Sequence, residues 1–204
     1  MIRSILSALA LWIIASAALA RDLPAVFDVT GVASDDVLNI RAAPSATADI
    51  LRSIPPDAKG VEVLALSQDG KWGMVSTGEG NGWVAMRYLT AQPAPGPDTL
   101  PRPMTCMGTE PFWALEHGRG LDLFRVPGEP DQPLVLQSEF AAPEGYFALS
   151  GGSGQTDTQY ALTITRQFCS DGMSDRQFGF DARLFISSPA GNRLLHGCCT
   201  LDQR

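Results

Sequence analysis

Short apolar runs separated by turn residues are the feature that most constrains how this chain can fold. Across residues 38–89 no apolar run is long enough for a buried helix, and the runs have the length and spacing of small strands. Residues 160–165 alternate with the period of two that is typical of a half-buried strand. The second half of the chain also has no helical apolar stripe of about ten or more residues. The sequence therefore predicts an all-β protein.

A proline-rich segment predicts the division of the chain into two domains. Residues 91–103 hold five prolines and no periodic apolar pattern. Such a composition favours extended polyproline geometry, so we predict a linker there. Residues 21–90 then form a first domain. Residues 104–204 form a second one, a small antiparallel β barrel or sandwich.

Residues 1–20 have the pattern of a secretory signal peptide. Arg3 precedes the apolar residues 5–14, and the small residues that end at Ala20 predict cleavage after that position. A retained membrane anchor is the alternative, but residues 4–20 fall short of the ~20 apolar residues that a span needs. We therefore expect a periplasmic or secreted protein with no stable membrane span.

Export determines how the four cysteines are interpreted. An even number of cysteines in an oxidising compartment predicts two disulfides among Cys106, Cys169, Cys198 and Cys199. A bridge between adjacent cysteines is disfavoured by its geometry, and neighbours in a strand point to opposite faces. We expect that one of the adjacent pair bonds to Cys106 and the other to Cys169, with the choice left open.

The charge of the chain argues against one class of partner. Acidic side chains outnumber basic ones by 22 to 15, which gives a formal net charge of −7. Nucleic acids and anionic lipid headgroups both favour positively charged partners. We therefore expect no nucleic-acid partner.

Several separated motifs of the first domain occur in one characteristic order. They are Leu-Asn-Ile-Arg from residue 38, Ala-Pro-Ser at 43–45, Trp72, and Gly-Trp-Val at 82–84. In these motifs residues 24–90 resemble the bacterial SH3-like domain, with Ile40 in place of the commoner valine. The resemblance implies a small β barrel that binds a partner, commonly in the bacterial cell envelope, and that does not catalyse a reaction.

We assign the expected ligand site of this domain to Trp72, Tyr88, Asn39 and Arg41. The expected partner is peptidoglycan stem peptide or a segment of an envelope protein. Aromatic side chains on a small barrel are most often core, which we expect for Trp83, Phe112 and Trp113. Trp72 can bind a ligand only if it stays partly exposed in a groove.

Two motifs in the second domain also form a recognisable pair. Residues 106–113 read Cys-Met-Gly-Thr-Glu-Pro-Phe-Trp, and residues 169–175 read Cys-Ser-Asp-Gly-Met-Ser-Asp. They resemble motifs of a family of uncharacterised bacterial envelope proteins, which shares features with small heat-inducible outer-membrane proteins. The resemblance implies an exported β domain and supplies no catalytic residue.

The residues that could bind a metal or catalyse a reaction are better explained by structural roles. His196 beside Cys198 and Cys199 suggests a soft-metal site, but exported cysteines are usually oxidised. Glu110, Asp171 and Asp175 could act as paired carboxylates, yet turn formation explains them. We therefore expect no catalytic residue, no metal and no cofactor.

The sequence thus favours an exported, non-enzymatic binding or adaptor protein of the bacterial envelope. The first alternative is a cell-wall hydrolase that uses Cys169 or Cys199 as nucleophile with His196 as base. The second alternative is an envelope-stability or inhibitor module, in which residues 104–204 bind a protein.

Overall fold

The computed structural model describes residues 22–96, 99–118 and 122–204, and these residues form strands and two short 3-10 helices. The predicted all-β class is confirmed. The predicted signal peptide lies outside the described residues. Within them, no helix has the length and apolar character that crossing a membrane requires.

The first domain is built from eight short strands in two sheets. One sheet has the order β4-β1-β8 and the other the order β3-β2-β7-β6-β5. The 3-10 helix η1 (Met86–Tyr88) precedes β8. The strands are β1 (Ala25–Val29), β2 (Leu38–Arg41), β3 (Ile50–Ile54), β4 (Val61–Val63), β5 (Ala65–Leu66), β6 (Trp72–Ser76), β7 (Asn81–Ala85) and β8 (Leu89–Ala91).

Alternating apolar residues give this domain its core. In β1, Ala25, Phe27 and Val29 are buried while the residues between them are partly exposed. The predicted hairpin at residues 67–70 joins β5 to β6, and Gly70 has the positive φ of 69° that glycine adopts most readily. The likeness to SH3-like domains stays a prediction.

The second domain is a closed barrel of eight antiparallel strands. Their order is β10-β11-β12-β13-β14-β15-β16-β9. A second 3-10 helix, η2 (Pro143–Gly145), joins β12 to β13. The strands are β9 (Met104–Thr109), β10 (Phe112–His117), β11 (Asp122–Arg125), β12 (Gln132–Ala142), β13 (Tyr146–Ser153), β14 (Thr158–Ser170), β15 (Gln177–Ser188) and β16 (Gly191–Thr200).

Side chains fill the interior of the barrel. Leu115, Leu162 and Leu184 are fully buried there among other apolar residues. The cavity that remains beside Leu115 and Leu184 measures about 10 Å³, which is about the space of one water molecule. Around these described residues the barrel interior is therefore a packed core.

Two disulfides join β16 to the adjacent strand β9 on one side and, across β15, to β14 on the other. Cys106 of β9 is bonded to Cys199, its direct cross-strand partner, within the barrel core. Cys169 of β14 is bonded to Cys198 in a separate small cluster with Phe178. The prediction that the adjacent cysteines have different partners is confirmed, and the structure makes the choice that the sequence left open.

The two domains contact each other through the end of β16 and the residues after it. The N–H of Gln203 donates to the carbonyl of Gly60 at 3.0 Å, and Arg204 donates to the carbonyl of Ser76 at 3.0 Å. Leu100, in the proline-rich segment, is buried in the barrel core cluster at 1% exposure. This segment therefore packs on the second domain at its end.

Candidate functional site

A cleft of about 390 Å³ opens on the first domain. All four predicted binding residues line it: Asn39 and Arg41 from β2, Trp72 from the start of β6, and Tyr88 from η1. Asp36 and Arg87 contribute further charged side chains, and the loop at residues 31–33 forms another wall. The structure thus brings together residues that are up to about fifty positions apart in the sequence.

Strand periodicity explains why β2 presents its polar residues to the cleft. Leu38 and Ile40 are buried in the core, so Asn39 and Arg41 point to the opposite face. Trp72 is paired with Ala85 across β6 and β7, which places the indole beside the start of η1. The same alternation that builds the core therefore assembles the cleft.

Hydrogen bonds fix some cleft groups and leave others available. One nitrogen of the Arg41 guanidinium donates to the carbonyl of Ala48 at 2.7 Å, which anchors the side chain to the loop after β2. Within the part of the chain that the structure describes, the Asn39 amide and the Trp72 indole N–H have no hydrogen-bond partner. These two groups can therefore bond to a ligand.

The cleft carries more basic than acidic side chains, whereas the chain as a whole is acidic. Among the described residues that line the cleft, Arg41 and Arg87 are basic and Asp36 is acidic, and the Asp36 carboxylate accepts the N–H of Val37 at 2.7 Å. The guanidinium carbon of Arg87 lies 4.8 Å from the centre of the Tyr88 ring, within the range of a cation–π contact. The cleft is thus locally basic on an acidic protein and suits a ligand that carries a carboxylate.

Not all of the aromatic side chains that we expected in the core are buried there. Trp113 is buried at 3% exposure, as expected, and its indole nitrogen donates to the carbonyl of His196. Phe112 is 53% exposed, so the core expectation for it was wrong, because β10 turns Trp113 inward and its neighbour outward. Trp72 and Trp83 are only partly buried, which leaves Trp72 accessible in the cleft.

The two motifs of the second domain are in contact and have structural roles. The Thr109 hydroxyl donates to the carbonyl of Asp171 at 3.0 Å. The Asp171 carboxylate accepts the N–H groups of Met173 and Ser174, as the turn interpretation expects. A Cβ at Gly108 would lie only 2.2 Å from the Trp113 indole nitrogen, so glycine is needed where the indole crosses the strand. These residues position the barrel strands.

All four cysteines are in disulfides. Sγ of Cys169 lies 3.9 Å from Nε2 of His196, and the same nitrogen lies 3.2 Å from Asp181. Cys199 lies in the barrel core, bonded to Cys106. The predicted hydrolase pairs therefore have no free thiol in this state, and a Cys-His hydrolase requires one.

A polar chain at one end of the barrel was missed from the sequence. Nε of Arg102 donates to Nε2 of His117 at 2.6 Å, and Nδ1 of His117 lies 2.9 Å from both Asp122 oxygens. Because a guanidinium only donates, Nε2 must accept and the imidazole proton must lie on Nδ1. Arg102 is also ion-paired with Glu139, and Tyr160 donates to Asp122.

The centre of this polar chain is closed to solvent, while the Arg102 and Glu139 side chains at its outer end are partly exposed. His117 is fully buried, and Asp122 is nearly so. Burial and the adjacent Asp122 charge raise the pKa of Tyr160. The alternation of β10 was the signal that could have placed this histidine in the interior, because His117 lies on the same face of the strand as the buried Trp113 and Leu115.

A buried carboxylate lies where the two domains meet. Glu62 of β4 is 2% exposed and accepts the Thr200 hydroxyl at 2.5 Å and the Leu201 N–H at 2.9 Å. Burial raises the pKa of Glu62 to about 7. Arg176 donates to the same Thr200 hydroxyl and stacks on Phe178, and burial lowers its pKa.

These features define an all-β protein of two small domains with two disulfides and a polar, aromatic cleft. Comparisons with protein-family models, with curated proteins and with solved structures find no match to this chain.

Proposed function

We propose that the protein is an exported, non-enzymatic binding protein of the bacterial cell envelope. In this proposal the first domain is an SH3-like domain, and its cleft binds peptidoglycan stem peptide or an extended segment of an envelope protein. The observation that carries the proposal is the cleft itself, because it unites Trp72, Tyr88, Asn39 and Arg41.

The chemistry of the cleft fits an extended peptide that carries carboxylates. The faces of Trp72 and Tyr88 offer flat apolar surface on which a peptide or sugar can pack. Arg41 and Arg87 offer guanidinium donors, which bind carboxylates in a bidentate manner. The Asn39 amide can donate to and accept from a peptide backbone.

Two further observations support export and binding rather than catalysis. Both disulfides need an oxidising compartment, which agrees with the signal-peptide pattern of residues 1–20. All four cysteines are disulfide-bonded, so the oxidised protein has no thiol to serve as the nucleophile of a Cys-His hydrolase.

Binding to purified cell-wall sacculi and to a synthetic stem peptide tests the proposal. Trp72→Ala and Arg41→Ala should each weaken binding by at least about tenfold, as is usual for aromatic and arginine anchors. Arg52→Ala is the matched control, because Arg52 is exposed on β3 and does not line the cleft. If folded Trp72→Ala binds as tightly as the unchanged protein, the cleft is not the site.

A second candidate function places a protein partner on the barrel. Phe185 and Leu194 are direct cross-strand neighbours on its outer face, and both are exposed. Phe185 also lines an open groove of about 470 Å³, and an exposed apolar patch beside a groove is typical of the protein-binding surface that an envelope-stability or inhibitor role requires. Capture of a specific envelope protein that is lost on Phe185→Ser, with the cleft variants unaffected, would support this second function.

A further inference from the structure

The corner of the barrel around the Cys169–Cys198 disulfide holds four groups that can bind a metal. Nε2 of His196, a carboxylate oxygen of Asp181 and Sγ of Cys169 all lie within 4.8 Å of one another. Cys198 is bonded to Cys169 and is the cross-strand partner of Asp181. One sulfur, one imidazole and one carboxylate therefore lie close together, and the second sulfur is bonded to the first.

The distances between these groups are close to those around a tetrahedral zinc ion. Bonds of about 2.0–2.3 Å to zinc place ligand atoms about 3.3–3.8 Å apart. Nε2 of His196 is 3.9 Å from Sγ of Cys169 and 3.2 Å from Oδ2 of Asp181. These two distances fit a zinc site, and the Cys198 sulfur is bonded to one of the three atoms.

The surroundings hold the ligands and leave a path to them. The Arg183 guanidinium donates to Oδ1 of Asp181, which turns Oδ2 towards His196. The His196 side chain is 53% exposed, so a cation can approach from solvent along the imidazole. Support of one ligand by an outer hydrogen bond is typical of metal sites.

The strands of the barrel hold these residues through backbone pairing as well as through the disulfide. β14, β15 and β16 are joined by long antiparallel ladders, which place Asp181 opposite Cys198 and Arg183 opposite His196. The second disulfide, Cys106–Cys199, joins β9 to β16 independently in the core. Reduction at the outer corner therefore frees two thiols on a scaffold that is still cross-linked.

We propose that this corner is a redox-gated site for a soft divalent cation such as Zn²⁺. In the oxidised protein both sulfurs are consumed by the disulfide, and no thiolate is available. In the reduced protein Cys169, Cys198, His196 and Asp181 together hold the ion. Two thiolates with an imidazole are the donor set that selects zinc over magnesium or calcium.

The gating step is a thiol–disulfide exchange with a dithiol. A thiolate of the dithiol attacks Sγ of Cys169, the Cys169–Cys198 bond breaks, and Cys198 leaves as a thiolate. The second thiolate of the dithiol then attacks the mixed disulfide and releases Cys169, so the dithiol ends as a disulfide and the protein gains two electrons. The ion binds both thiolates, and the protons that they would carry go to solvent.

Zinc binding by the whole protein tests the proposal, before and after reduction with a phosphine. Alkylation followed by mass spectrometry first establishes that Cys169 and Cys198 are reduced while Cys106 and Cys199 stay bonded. The reduced protein should then retain one zinc ion per chain after desalting, and the oxidised protein none. Cobalt added in place of zinc should give the absorption of a tetrahedral thiolate site.

Variants separate this site from adventitious binding. Cys169→Ser with Cys198→Ser should abolish retention, and His196→Ala should weaken zinc affinity by more than the ~10–100-fold typical of losing an outer-shell partner. Arg183→Ala should weaken zinc affinity by an amount within that ~10–100-fold range. Asp131→Asn removes a carboxylate from another loop and should leave zinc affinity unchanged. The proposal is overturned if the reduced protein retains no zinc, if His196→Ala binds it equally well, or if reduction abolishes the β-sheet circular dichroism.

Discussion

The substitution Glu62→Gln neutralises a carboxylate that lies buried between the two domains. Glutamine has the same shape and can still accept the N–H of Leu201 with its carbonyl oxygen, while its amide nitrogen replaces the oxygen that accepts the Thr200 hydroxyl. The substitution thus removes the charge and leaves the Thr200 hydroxyl to accept from the amide instead. Burial raises the pKa of Glu62 from its ordinary 4.5 to about 7. At about 1.4 kcal/mol per pKa unit, keeping this carboxylate ionised costs the folded protein up to about 3 kcal/mol.

This cost depends on pH in a direction that follows from the raised pKa. Below about pH 4.5 Glu62 is protonated in both the folded and the unfolded protein, and its contribution to stability is fully present. As pH rises to about 7 the unfolded protein loses this proton more readily, so the free energy of unfolding falls. The glutamine side chain of the variant has no proton to lose. The free energy of unfolding of the variant should therefore rise relative to that of the unchanged protein as the pH increases from about 4.5 to about 7.

Denaturant unfolding at pH 5 and pH 8, followed by tryptophan fluorescence, measures this difference. The advantage of Glu62→Gln should grow by up to about 3 kcal/mol between the two conditions. Asp69→Asn is the control, because hydrogen bonds lower the pKa of that carboxylate and it lies exposed in a hairpin. The reasoning is refuted if the advantage of Glu62→Gln is the same at both pH values.

Two further substitutions test the barrel. Gly108→Ala should lower the free energy of unfolding by about 1–3 kcal/mol, because the added Cβ would lie 2.2 Å from the indole nitrogen of Trp113. Gly154→Ala is the control: a Cβ there meets open space, so the melting temperature should not change. Equal effects of the two substitutions would contradict the argument. His117→Leu should cost about 3–5 kcal/mol in chemical denaturation, since it leaves Asp122 buried without its imidazole donor. His196→Leu, at an exposed site, should cost little, and a similar loss in both histidine variants would show that burial is not the cause.

Local periodicity made much of the fold predictable. The alternation in residues 160–165 lies within β14, and the turn residues at 67–70 form the predicted hairpin. The same period of two separated Cys198 from Cys199. Leu195 has the parity of Cys199 and lies in the same core, so the pattern indicated which of the two adjacent cysteines faces inward but not its partner.

What the sequence did not show depends on neighbours far away in the chain. In β4, Glu62 stands between Val61 and Val63, and alternation alone would place it in solvent, but the second domain covers it. His117 finds its partners only when Arg102 and Asp122 reach it from separate segments. Asn39, Arg41 and Trp72 lie in motifs that resemble those of SH3-like domains, whereas the shape of the cleft depends on the path of η1.

The position of Glu62 also affects how the molecule is made. β4 is an edge strand of its sheet, and residues 200 and 201, which cover the carboxylate, are synthesised long after it. Until they arrive, Glu62 faces water with its ordinary pKa and is charged at neutral pH. A charge on an open strand edge discourages pairing with other chains. The carboxylate that costs the finished protein stability thus protects the unfinished one from aggregation.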